Sequence, residues 1–181
     1  IVPVAAHKGG VTEKAREVLS ALLARGIRAE IDDRDASPGW KFNEWEMKGV
    51  PVRLEIGPRD VENKQAAVFR RDTLEKFFLP LENIAEAAEK LLGEVQANML
   101  EKSRKNRDAR IVYAKDMGEL FAGVENKNFV KAGWCGCREC EDKVKELTAA
   151  TARVIAEGET SDTCVACGKK AKHTVIFARA S

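Results

Sequence analysis

The sequence predicts an α/β protein in two parts, on three observations. Short apolar runs alternate with helically spaced apolar residues through the first half. Val50-Pro51-Val52-Arg53-Leu54-Glu55-Ile56 alternates strictly, with Val50, Val52, Leu54 and Ile56 on one face and Pro51, Arg53 and Glu55 on the other. All five cysteines lie at position 135 or beyond, which sets the last part of the chain apart. With 44% hydrophobic and 33% charged residues, the chain is not collagen-like, low-complexity or wholly disordered. No apolar run approaches the roughly 18 residues that cross a bilayer.

In chain order, residues 1–5 read as a short buried strand. Val11, Ala15, Val18, Leu19, Leu22 and Leu23 mark a helix, with Thr12 as its expected N-cap and Gly26 just past its end. Residues 27–31 read as the next strand, parallel to the first through a right-handed crossover. Ser37-Pro38 is a cap followed by a first-turn proline, so a helix is expected over 38–48, ending at Gly49. After the strand at 50–56, Gly57-Pro58-Arg59-Asp60 reads as a turn. Residues 64–71 and 74–79 form a hairpin about Asp72-Thr73. Pro80 then opens a long helix over 81–107 that connects domains 1–96 and 97–181. Beyond it are expected a strand at 110–114, a helix at 117–123, a strand at 128–134, a helix at 141–147, and strands at 153–157 and 173–179.

The whole chain is nearly neutral, with 31 Lys+Arg against 29 Asp+Glu, so bulk charge names no partner. Split by position, residues 1–96 hold 15 basic and 17 acidic side chains, and residues 97–181 hold 16 and 12. Much of the basic excess lies in residues 101–110, which suit either a solvated helix end or contact with nucleic-acid phosphate. The chain begins Ile1-Val2-Pro3-Val4 without methionine and reads as a fragment whose missing chemistry lies upstream.

Cys135, Cys137, Cys140, Cys164 and Cys167 form two clusters. An odd count without a secretory signal argues against a disulfide framework. Two close clusters are what a four-thiolate zinc site needs, and such a site, with no open position, is structural. Cys164-x-x-Cys167-Gly168 is one half. Cys135 or Cys137 could pair with Cys140 in the other, and spacing alone prefers Cys137-x-x-Cys140. His173 could replace one sulfur. A thiol oxidoreductase using one Cys-x-x-Cys pair is the alternative from another class, and a stand-alone interaction module is a third.

Residues 40–48 hold two of the three tryptophans, and Trp40 and Trp45 read as core. Phe42 and Glu46 share a helix face. An aromatic plane beside a carboxylate suits an unpaired guanine: the ring stacks a base, and the carboxylate accepts from both guanine N1–H and the exocyclic amine. Arg53 could add donors for guanine O6 and N7. It could equally pair with Glu55 in an ordinary salt bridge.

The stretch Pro38-Gly39-Trp40-Lys41-Phe42-Asn43-Glu44-Trp45-Glu46-Met47-Lys48-Gly49-Val50-Pro51-Val52-Arg53-Leu54-Glu55-Ile56-Gly57-Pro58-Arg59-Asp60 resembles the signature of prolyl-tRNA synthetases of the archaeal/eukaryote-like type, which some bacteria also carry. Val68-Phe69-Arg70-Arg71-Asp72-Thr73, Trp134-Cys135-Gly136, Cys140-Glu141-Asp142 and Cys164-x-x-Cys167-Gly168 through Phe177-Ala178-Arg179 fit the same family. The resemblance implies a class II anticodon-binding domain with a mixed sheet of about five strands, then a small α/β zinc-binding domain. It implies proline tRNA as partner, with Phe42, Glu46, Arg53 and Lys76 reading the two guanines shared by proline anticodons. It also implies Cys135, Cys140, Cys164 and Cys167 as zinc ligands, leaving Cys137 extra. The full-length enzyme would be a cytoplasmic homodimer, away from membranes, that uses ATP in a catalytic domain. The motifs of that domain are absent here, so the resemblance implies that this chain alone does not activate proline. Members of this type tend to end in a tyrosine whose carboxylate approaches the active site; this chain ends Ala180-Ser181, and no such role is expected of it.

Overall fold

The computed structural model describes residues 1–157 and 162–180, so the terminal Ser181 lies outside the described residues. The chain divides into two compact units, Ile1–Lys102 and Ser103–Ser181.

The first unit is a four-stranded mixed sheet in the order β1 (Val2–Pro3), β2 (Val52–Ile56), β3 (Gln65–Arg70), β4 (Glu75–Pro80). β1 runs parallel to β2, and the other two pairs are antiparallel. One sheet face carries Leu54, Ile56, Ala66 and Val68 into a core with Val11, Ala15, Val18 and Leu22 of α1 (Val11–Ala24) and Ile84, Ala88 and Leu91 of α4 (Ile84–Asp108).

Four expectations change here. Residues 27–31 are not a strand, although Ile1 donates to the Glu30 carbonyl at 2.7 Å and Asp32 N–H donates to the Ile1 carbonyl at 2.9 Å. Pro3 has no N–H for the next rung of that ladder, so the pairing stops after one step. Thr12 is not an N-cap: Gly10, in the left-handed region at φ 71°, precedes α1, while the Thr12 hydroxyl donates to the Ala6 carbonyl. Residues 57–60 extend into a helical turn, α3 (Pro58–Glu62), because Asp60 accepts the Gly57 N–H at 2.9 Å. Pro80 closes β4 rather than opening α4, as its ring tolerates a strand end on the sheet edge.

The hairpin between β3 and β4 is a charged cluster. Arg70 donates to both Asp72 oxygens at 2.7 and 3.0 Å, and Asn98 and Lys102 of α4 donate to the Asp72 carboxylate and carbonyl at 2.5 and 2.7 Å. These bonds carry the first unit along α4 to Lys102, beyond residue 96. The Arg70 bonds hold the Asp72 carboxyl at about 2, below its ordinary 3.8. Its stabilisation is therefore complete above about pH 4 and lost as pH falls toward 2. Asp72→Asn should flatten that limb of the stability–pH profile, measured by urea unfolding between pH 5 and 2. An unchanged slope would rule out the Arg70 pairing as its source.

The second unit is also mixed, in the order β5 (Ile111–Ala114), β6 (Phe129–Trp134), β8 (His173–Ala178), β7 (Thr151–Ala156). α5 (Met117–Glu125) and α6 (Arg138–Thr148) supply Leu120, Val124 and Val144 to a core with Val130, Val175 and the fully buried Phe177. Gly123 lets α5 lie against the sheet, since a Cβ there would sit 2.7 Å from Val130 Cγ2. α6 begins at Arg138, earlier than the expected 141, so Cys140 lies in its first turn.

Candidate nucleic-acid interface and metal centre

The face of the first sheet opposite its core carries the polar cluster. β-strand alternation sends Arg53 and Glu55 there, and the register sets Arg53 opposite Phe69 and Phe69 opposite Lys76 in one cross-strand row. α2 (Pro38–Met47) brings Phe42 and Glu46 to the same place. Ser37 caps α2, accepting from Trp40 N–H at 3.4 Å. Asp32 anchors it: the carboxylate accepts Trp45 Nε1–H at 2.8 Å, and the Asp32 carbonyl accepts Lys41 Nζ at 3.1 Å. Hydrogen bonds from Arg34 hold the Asp32 carboxyl far below the usual carboxylate range. The anchor is thus ionised at neutral pH.

The Arg53 guanidinium lies between two rings, 3.9 Å from the Phe42 centroid and 4.4 Å from that of Phe69. Cation–π attraction on both faces fixes its plane. Its Nη1 donates to Glu46 at 2.7 Å, while Nε and Nη2 donate to one Glu55 oxygen at 3.1 and 3.0 Å. Lys76 Nζ donates to the other Glu55 oxygen at 2.6 Å. Arg53 and Glu55 are buried, at 8% and 5% exposed, which is tolerable because each is paired. Glu46 and Lys76 stand at the rim, their side chains 36% and 51% exposed.

The structure therefore brings Phe42, Glu46, Arg53 and Lys76 together. The Arg53–Glu55 pair also forms, within the cluster rather than instead of it. Phe69 belongs to it and was missed, and Glu55, expected only as a salt-bridge partner of Arg53, also accepts from Lys76. Alternation was the available signal for Phe69: with Val68 inward, Phe69 must face outward. Trp40 is not core, being 53% exposed with the Arg34 guanidinium 5.1 Å from its ring, and Met47 beside it is 86% exposed. α2 buries its Lys41 face, and the Trp40–Met47 face is left to solvent.

In the second unit, the sulfurs of Cys135, Cys140, Cys164 and Cys167 lie within 4.8 Å of one another. Cys135 is 3.6 Å from Cys140 and 3.9 Å from Cys167. A tetrahedron of thiolates about zinc has edges of about 3.8 Å, given a Zn–S bond of about 2.3 Å. The four-cysteine cluster fits a metal ion. Its second half is a tight turn in which Gly168, at φ 70°, donates its N–H to the Cys164 carbonyl at 2.8 Å, and Cys164 N–H bonds the Lys169 carbonyl at 2.7 Å. Val165 N–H to the Gly133 carbonyl (2.9 Å) ties that turn to β6, next to the first half-site.

Cys137 lies outside the group of four, its sulfur 3.2 Å from that of Cys135. The main-chain N–H of Cys137, then its thiol, lower Cys135 to about 6, and the Cys137 sulfur raises Cys140. Cys137-x-x-Cys140 does open a helix, as a redox pair would. The Cys140 sulfur, however, faces three others, which favours a metal site. His173 packs its ring 6.0 Å from that of Trp134 and is no ligand. Among the described residues, no helix is long and apolar enough to cross a membrane.

Comparison with known proteins gives two family matches: an anticodon binding domain over residues 1–91, and the C-terminal region of prolyl-tRNA synthetase over residues 117–180. The chain is 48% identical over 183 residues to a proline–tRNA ligase of Clostridium botulinum (strain ATCC 19397 / Type A). It is 52% identical over 184 residues to that of Alkaliphilus oremlandii (strain OhILAs). Both alignments take in 99% of this chain but 38% of the relative, so the chain spans well under half the length of these curated relatives. The crystal structure of prolyl-tRNA synthetase from Cryptosporidium parvum complexed with L-proline and AMP superposes with a TM-score of 0.92 at 32% identity. That match covers 99% of this chain and 40% of the other.

Proposed function

Because this chain belongs to the anticodon binding domain family, we propose that its first unit reads the anticodon of proline tRNA through Phe42, Glu46, Arg53 and Lys76. One observation carries the reading: the Glu46 carboxylate sits at the rim of a Phe42–Arg53–Phe69 stack, held there by Arg53. Glu46 accepts from guanine N1–H and the exocyclic amine, a donor pair that adenine lacks. Arg53 and Lys76 donate to O6 and N7 of the guanines. Glu55, buried, pairs with both cations and holds them in place before the base arrives. Phe42 offers its ring for stacking.

Cys135, Cys140, Cys164 and Cys167 hold zinc in the second unit. Four thiolates leave no coordination position for water or substrate, so the metal joins β6, α6 and the 164–168 turn and does no chemistry. The chain works as the RNA-reading end of a longer class II ligase that joins proline to its tRNA with ATP, of the archaeal/eukaryote-like type, cytoplasmic and homodimeric. Its activation chemistry resides in the rest of that protein.

The test is binding of this chain to a proline tRNA transcript. Binding should weaken as salt rises, since phosphate contacts release counterions. Replacing the two shared anticodon guanines with adenine should weaken it at least about tenfold, taking about 1–3 kcal/mol per bidentate contact. Equal affinity for the two transcripts would refute the reading.

A further inference from the structure

We propose that Cys137 is a spare ligand of the metal centre, able to take the place of Cys135. The inference rests on the zinc reading above. The Cys135 and Cys137 sulfurs are 3.2 Å apart, closer than the edge of about 3.8 Å that two ligands of one tetrahedral zinc keep. Both cannot serve together as placed, yet either is beside the same corner.

The backbone explains this convergence. Gly136, at φ 85°, turns the chain so that the side chains at 135 and 137 meet. Cys137 then adopts the extended conformation of a helix N-cap, at φ −91° and ψ 145°. Its carbonyl is pinned by Trp134 Nε1–H at 3.0 Å. With the main chain held, one rotamer step about Cα–Cβ carries the sulfur by about 3 Å, the scale of the exchange. In such an exchange Cys137 would give up its thiol proton to solvent, and the displaced Cys135 thiolate would take one up. The half-site of Cys164 and Cys167 has no third cysteine. The centre should therefore be redundant on one side and not on the other.

Cobalt(II) titration of the whole chain tests this, because thiolate-to-cobalt charge-transfer intensity counts sulfur ligands. The unaltered chain, Cys135→Ser and Cys137→Ser should each show four-thiolate intensity. Cys167→Ser and the double variant Cys135→Ser/Cys137→Ser should lose about a quarter of it and bind at least about tenfold more weakly. Alkylation read by mass spectrometry is the second measurement: Cys137 should react in the metal-loaded parent and be protected in metal-loaded Cys135→Ser. If Cys135→Ser behaves as Cys167→Ser does, or fails to bind or fold, the spare-ligand assignment is overturned. If the unaltered chain itself shows no four-thiolate signal, the zinc reading beneath it is what fails.

Discussion

Glu46→Ala is expected to erase the preference for guanine over adenine at one anticodon position while leaving the first unit folded. The carboxylate is a third exposed and contributes one of the three Arg53 hydrogen bonds, so Arg53 keeps Glu55 and its two rings. Removing a bidentate acceptor should cost about 1–3 kcal/mol, or about 5- to 150-fold in discrimination. Glu46→Gln should fall between, because the amide keeps one acceptor and turns a donor toward the guanine donors. The contrast is Glu55→Ala, which leaves Arg53 and Lys76 without their shared buried partner and should lower stability as well as binding. Competition binding with single-base variants of the transcript, beside circular dichroism melts, separates the two effects. A Glu46→Ala chain that still prefers guanine would remove Glu46 from the reading set.

Chelating the metal should destabilise the second unit and leave the first unchanged. Each unit has its own apolar core, but the one around Val130, Val144 and Phe177 stands beside the four-cysteine cluster, which gathers residues from the end of a strand, a helix start and a turn. A ligand present at about a thousand times its dissociation constant contributes about 4 kcal/mol. For a unit of this size, that is about 15–30 °C in Tm. Scanning calorimetry with and without chelator should show one transition moving by that amount and the other unchanged. Because the thiolates must be deprotonated to bind, the gap should narrow as pH falls. Two transitions indifferent to chelator would mean that the cysteines stabilise the unit without a metal.

Much of the fold was legible in local chemistry. Ser37-Pro38 marked the start of α2, strict alternation marked β2, and Asp72-Thr73 placed the hairpin. The strand expected at 27–31 failed for a non-local reason: its partner carries Pro3, and a missing donor on one segment cannot be read from the other. Trp40 was expected to be core because tryptophan usually is, but burial of α2 is decided by what it packs against. The sheet beneath it presents Arg53 and Phe69, which face Phe42 and Glu46 and leave Trp40 in solvent.

What the sequence determined by itself was the class of chemistry: an aromatic and a carboxylate on one helix face, an arginine on a strand, and two clusters of thiols. These rest on spacing, which a helix or strand period converts directly into shared direction. Only the tertiary structure decided which groups meet. Cross-strand register placed Phe69 between Arg53 and Lys76, and the turn at Gly136 set Cys137 beside Cys135 while Cys140 joined the 164–167 half-site. Register and turn geometry join residues far apart in the chain, and no local period encodes that pairing.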